Sequence, residues 1–196
     1  MEKQDEIEKL KKECDEFCKK HPLYKQGTFP VFGEGSLNAE IMLIGEAPGY
    51  NESITGKPFC GAAGKILDEI LNNAGLKRED IFITNVVKMR PPNNRNPTKE
   101  EINHFSPFLD NQIKILNPKI IGTLGNFSTA YIMEKFNLKD KIQGISKIHG
   151  QVFNVSTLFN VIKIVPLYHP AVATYNANMK DTLKEDFLVL KKILGE

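Results

Sequence analysis

The chain has 196 residues, with 26 Lys and Arg against 24 Asp and Glu for a formal net charge of +2. That length suits one domain, residues 1–196, with a sizeable core, and 41% hydrophobic with 26% charged residues excludes a disordered or fibrous chain. No apolar run approaches the ~18–20 residues of a membrane span, the charged start does not read as a secretory signal, and three cysteines are too few for a disulfide framework.

Ile7, Leu10, Cys14, Phe17 and Cys18 recur at helical spacing among charges, predicting an amphipathic helix over residues 2–20. His21-Pro22 ends it, because a residue before proline is pushed out of the helical region. AEIMLIGEAPG reads as a buried strand over residues 40–44 that breaks into a Gly/Pro loop. GAAGKILDEILNNAGL is a helix with Gly75 as its stop signal, and IFITNVV is a second strand followed by the loop KMRPPNNRNP. Thr98 starts a helix running to about Leu116, with Glu101 three residues on completing a capping box. PKIIGTLG, NFSTAYIMEKF, VIKIVPLYHP and DTLKEDFLVLKKILGE then read as strand, helix, strand and C-terminal helix.

This alternation predicts a three-layer α/β/α fold around a central, mostly parallel four-stranded sheet. In such folds ligands bind beyond the carboxyl ends of the strands. The loops GEAPGYNE, NVVKMRPP and YHPA each follow a strand, so they are expected on one rim.

Two phosphate-binding readings fail. FCGAAGKI has the Gly64-Lys65 pair of a P-loop, but Ile66 stands where Ser or Thr is needed and Phe59 where the first glycine belongs. GEGSLN has only two glycines of the dinucleotide fingerprint and follows no clear strand.

Four stretches taken together resemble the uracil-DNA glycosylase superfamily, most closely its family 4. They are VFGEGSLNAEIMLIGEAPGYNESITGKPFCGAAG, ITNVVKMRPPNNRNPT, PKIIGTLG and VPLYHPA, in the family's order and spacing. The resemblance implies a monofunctional enzyme that flips uracil out of DNA and hydrolyses its N-glycosidic bond, leaving an abasic site. It assigns Asn85 to reading the base: a carboxamide can donate to uracil O4 and accept from N3–H, whereas cytosine presents the opposite pair. Because an amide can rotate, this discrimination requires neighbouring bonds that fix its orientation.

By the same resemblance His169 donates to uracil O2 as the anion leaves, Phe59 stacks on the flipped base, and Glu46 orients water and faces the developing sugar cation. Gly45, Ala47, Pro48 and Gly49 let the backbone approach the base, and Glu52 falls near the uracil C5 edge. Taken alone, Asn85 is a strand end, His169 a structural histidine, Phe59 a core ring and Glu52 a solvated acid. Lys57, Lys65, Lys88, Arg90, Arg95 and Lys147 form the expected phosphate-contacting cluster. The loop VATYNANMK departs from the leucine-arginine pattern of related enzymes, leaving Val172, Tyr175 and Met179 as alternatives for the side chain that fills the space vacated by the base.

Family 4 enzymes hold an iron–sulfur cluster on four cysteines. The matching positions here are Cys18, His21, Met89 and Phe105, so only one thiolate remains, and the cluster is expected to be absent, with Met89 and Phe105 as apolar filling. Cys14, Cys18, His21 and His104 have only loosely zinc-like spacing, and no metal is expected. The implied partner is DNA containing uracil or another deaminated base, bound by a cytoplasmic monomer without membrane attachment. Rival readings are excision of hypoxanthine or xanthine and a damage-sensing module without catalysis. A covalent trap is disfavoured by the lack of a KRRIH-like insertion between Lys88 and Thr98.

Overall fold

The first helix, α1 (Lys3–Lys20), buries Ile7, Leu10, Cys14 and Cys18 along one stripe and stops at His21, whose backbone is extended. It is the first element of a computed structural model describing residues 2–157 and 160–195. Met1, residues 158 and 159, and Glu196, the last residue of the expected C-terminal helix, lie outside the described residues.

The chain continues through β1 (Glu34–Gly35), β2 (Ile41–Gly45), α2 (Tyr50–Thr55), α3 (Ala62–Asn73), β3 (Phe82–Asn85), α4 (Lys99–Leu116), β4 (Ile120–Leu124), α5 (Asn126–Lys135), α6 (Ile145–Ile148), β5 (Phe153–Ser156), β6 (Val161–Leu167), α7 (Val172–Tyr175) and α8 (Met179–Leu194). The strands form one sheet in the order β1-β3-β2-β4-β6-β5. The inner four, β3, β2, β4 and β6, are parallel, as the β-loop-α alternation predicts. The expected count of four is corrected to six, because β1 and β5 pair antiparallel at the two edges.

Side chains alternate across β2, and each face has its own core. Met42 and Ile44 pack with residues of α1 and α4, among them Leu10, Phe105 and Leu109. Ile41 and Leu43 pack with residues of α3 and α8, among them Leu67, Ile70, Phe187 and Leu190. This is the expected three-layer arrangement. Within it, Gly122 allows close helix and strand packing: a Cβ there would lie 2.7 Å from a Leu43 methyl.

The helix ends follow their sequence signals. Gly75 takes a left-handed φ of 66°, and the Leu76 amide returns to the Leu71 carbonyl at 2.9 Å to close α3. At α4 the Glu101 amide donates to Thr98 Oγ1 at 3.1 Å, while the Thr98 amide donates to Glu101 Oε2 at 2.8 Å. Among the described residues no helix is long and apolar enough to cross a membrane.

Candidate active site

Parallel strands that end together bring their following loops together. Gly45 at the end of β2 stands opposite Asn85 at the end of β3, and β6 ends at Leu167, two residues before His169. Between these ends lies a cavity of about 370 Å³, within the range of small-molecule sites. Its lining includes Glu46, Asn85, His169 and Phe59 together with Ala47, Pro48, Gly49 and Glu52. The structure therefore brings every expected base-contacting residue except Gly45 to one lining, and Gly45 lies against it. A Cβ on Gly45 would collide with the Asn85 amide oxygen and come within 2.9 Å of Phe59 Cζ. Only glycine leaves room for both side chains.

Three polar side chains, those of Glu46, Asn85 and His169, line this cavity. Among the described residues, neither the Glu46 carboxylate nor the Asn85 carboxamide has a protein hydrogen-bond partner, while no side-chain polar atom closed off from solvent is left without one. The polar ends of both groups are thus open to the cavity. The neighbouring bonds expected to fix the Asn85 amide are not found among the described residues, and the carboxamide lies over Gly45, where a Cβ would strike its oxygen.

His169 receives a hydrogen bond at Nδ1 from the Ala171 amide, 3.2 Å away. Nδ1 is therefore the acceptor, and in the neutral ring the proton sits on Nε2, where it can be donated into the cavity. Burial lowers the His169 pKa to about 4, with the Glu52 charge opposing, so the ring is neutral at neutral pH. Burial also raises the Glu46 carboxyl above the ordinary carboxylate value.

Phe59 forms the wall beside His169, with ring centroids 5.5 Å apart and planes 31° from parallel. Its backbone has a left-handed φ of 49°, unusual for an aromatic residue. Three neighbours hold it there. Arg78 Nη2 donates to the Pro58 carbonyl at 2.7 Å and to the Phe59 carbonyl at 3.3 Å, while Nη1 pairs with Asp68 at 2.7 Å. The Glu52 carboxylate accepts from the Cys60 and Gly61 amides, each at 3.1 Å. Gly64 lies so close that a Cβ would strike the Phe59 carbonyl. Glu52 thus braces the turn that carries Phe59, a role its sequence position does not reveal. Beneath the His169 loop, His149 Nδ1 meets Asp186 at 2.9 Å and its ring stacks 4.6 Å from Tyr168.

The expected basic cluster divides. Lys57, Lys65 and Lys147 are exposed. Arg90 lies with its guanidinium carbon 5.1 Å from the centre of the Tyr50 ring and donates from Nε to Asn94 at 2.7 Å. Arg95 lines the cavity, but both its terminal nitrogens are engaged by Glu101, at 2.8 and 2.6 Å, which corrects its reading as a free phosphate contact. Lys88 is the clear correction. It is fully buried and its Nζ faces Thr84, Asn85 and Gln112, so no phosphate can reach it.

The four positions matching the family's cluster ligands also come together. Cys18, Met89 and Phe105 are buried in one core, and the rings of His21 and Phe105 are 4.7 Å apart. This donor set does not fit a four-iron cluster: one thiol, one imidazole, one thioether and one phenyl ring replace four thiolates. The zinc-like set does not converge either. His21 Nε2 and His104 Nδ1 bond each other at 3.1 Å, and Cys14 and Cys18 contact each other at 3.9 Å. Among the described residues no three His, Cys, Asp or Glu side chains are placed to hold a metal ion.

Comparison of the sequence with known proteins shows the family. A Type-4 uracil-DNA glycosylase of Saccharolobus solfataricus is 48% identical over 179 residues, covering 91% of this chain and 82% of that protein. One from Sulfurisphaera tokodaii is 47% identical over 190 residues, covering 96% and 85%. One from Archaeoglobus fulgidus is 40% identical over 179 residues, covering 91% and 89%. The sequence model of the uracil DNA glycosylase superfamily matches residues 32–190, from β1 through most of α8, and the chain belongs to that superfamily.

Proposed function

We propose that this protein excises uracil from DNA by hydrolysing the N-glycosidic bond, the activity named for its Type-4 relatives. The observation that carries the reading is the set of unclaimed polar groups of Glu46, Asn85 and His169 around one cavity walled by Phe59. An extruded base stacks beside Phe59. The Asn85 carboxamide donates to O4 and accepts from N3–H. As the C1′–N1 bond breaks, its electron pair leaves with the base, and the His169 Nε2–H bonds the growing negative charge on O2. Glu46, ionised, faces the positive sugar and directs a water to C1′; the water's hydroxyl bonds to C1′ and its proton passes to the departing uracil anion. Its half-buried position leaves the carboxylate within reach of both the sugar and an attacking water. The products are free uracil and an abasic site.

DNA lies across the rim through Lys57, Lys65, Arg90 and Lys147. Tyr175, 91% exposed at the end of α7, is the side chain of this reading that enters the gap left in the duplex. The protein works as a one-domain cytoplasmic monomer and without an iron–sulfur cluster, its cluster positions closed by side-chain packing. The test is a uracil-bearing oligonucleotide treated with protein and then alkali, beside matched inosine, xanthosine and undamaged strands. Cleavage at uracil supports the reading; cleavage only at another base transfers it to that base, and binding without cleavage overturns it. Iron below one-tenth per chain after anaerobic purification is the expected metal result, and stoichiometric iron overturns that part.

A further inference from the structure

Lys88 lies three residues beyond Asn85, and its side chain is fully buried. Its Nζ donates to Thr84 Oγ1 at 2.7 Å, to the Asn85 main-chain carbonyl at 2.8 Å and to Gln112 Oε1 at 2.7 Å. Nζ thus has three acceptors within hydrogen-bond distance. The arrangement extends further: Thr84 Oγ1 and Gln112 Nε2 each donate to the Phe32 carbonyl at 2.8 Å, and the Val31 amide donates to the Lys88 carbonyl at 2.8 Å. One amine thus ties the end of β3 to α4 and to the segment before β1.

Among the described residues no carboxylate pairs with it. The ionisable groups acting on it are the thiols of Cys14 and Cys18 on α1. Burying an amine without a carboxylate is costly, and an apolar side chain would fill the space without that cost. The cost falls directly behind Asn85, whose carboxamide has no hydrogen bond of its own within the described protein. The placement of that carboxamide is therefore inherited from its main chain, and the main chain is held by Lys88.

We propose that Lys88 is a positioning residue for base recognition: its buried Nζ pins the Asn85 carbonyl and so sets where the carboxamide meets the base edge. This rests on the reading of Asn85 given above. A side chain misplaced by about 1 Å can lower a rate by about a hundredfold, although Lys88 touches neither base nor phosphate.

The test is a double-mutant cycle in single-turnover excision, with melting curves confirming that each variant is folded. Lys88→Met is expected to slow uracil excision about 10- to 100-fold while leaving affinity for uracil-containing DNA within about twofold. In the Asn85→Ala background the same substitution is expected to change the rate by less than about threefold, because the group it positions is gone. Equal losses in both backgrounds indicate a strut for the whole fold and overturn the proposal, as does an unchanged rate in folded Lys88→Met. If that variant fails to fold, Thr84→Val replaces it in the cycle, with a smaller loss of about three- to tenfold and the same dependence on Asn85. Full activity in Asn85→Ala alone overturns the base-reading assignment itself, a result distinct from either Lys88 outcome.

Discussion

The neutrality of His169 gives the sharpest expectation. Its Nδ1 is occupied by the Ala171 amide and burial lowers its pKa to about 4, so above about pH 5 it acts as a neutral Nε2–H donor. A single donor aimed at a developing oxyanion contributes roughly 3–4 kcal/mol, so His169→Ala is expected to lower single-turnover excision by about 10²–10³-fold. The pH profile separates neutral from charged catalysis. A charged donor would lose its proton near its ordinary value of 6.5, and the rate would fall about tenfold per unit above it. A neutral donor imposes no such fall, and the profile is expected to stay level from about pH 6 to 8. The acid limb belongs to Glu46. Its carboxyl is raised by burial and must be ionised, so the rate falls as pH drops through that raised value, and Glu46→Gln abolishes the limb along with most activity. Excision measured from pH 4.5 to 8.5 on one uracil oligonucleotide tests both limbs; a steady decline above pH 6.5 in wild-type protein, absent in His169→Ala, would refute the neutral-donor reasoning.

Gly45→Ala places a methyl against the Asn85 amide and Phe59; excision is expected to fall more than about a hundredfold, with little change in a circular-dichroism melting curve. Arg78→Met removes the donor that holds the Pro58 and Phe59 carbonyls; calorimetry should show a loss of about 1–3 kcal/mol, and steady-state kinetics a lower kcat. Lys88 predicts a stability slope. Burial lowers its pKa from 10.5 to about 7, so the unfolded chain binds the extra proton between these values and stability rises with pH across that range. The rise is on the order of 4 kcal/mol between pH 7 and 10, and urea titrations of Lys88→Met should lack that component.

The parallel centre of the sheet was legible because its four strands are largely apolar, and longer helices with readable ends lie between them. The two edge strands were not. Glu34 and Gly35 in β1 are both exposed and gain strand geometry only from their partners Phe82 and Ile83. In β5, Phe153 and Val155 alternate with exposed Asn154 and Ser156, a period-2 signal too short to separate from a loop. At the site, the lining residues were found through their motifs, while the bracing ones were missed. Arg78 sits in the charged run KRED, which reads as solvated surface, and Lys88 sits beside Arg90 in a basic loop. Burial of Lys88 depends on acceptors brought from distant chain positions. One clue existed: Gln112 interrupts the apolar stripe of Phe105, Leu109, Ile113 and Leu116 on α4, and a polar residue at a core position implies a buried partner.

The left-handed backbone of Phe59 has a consequence for how this protein can change over time. An aromatic residue in that geometry costs about 1–3 kcal/mol that its neighbours must offset. A glycine there would relax the turn but would give up the burial of a phenyl ring that is 7% exposed in the core, a loss of about 3–5 kcal/mol. Keeping the phenyl ring therefore marks a standing compromise at one position. Laboratory evolution for heat resistance is expected to keep the ring and to reinforce the Arg78 and Glu52 contacts that hold its turn.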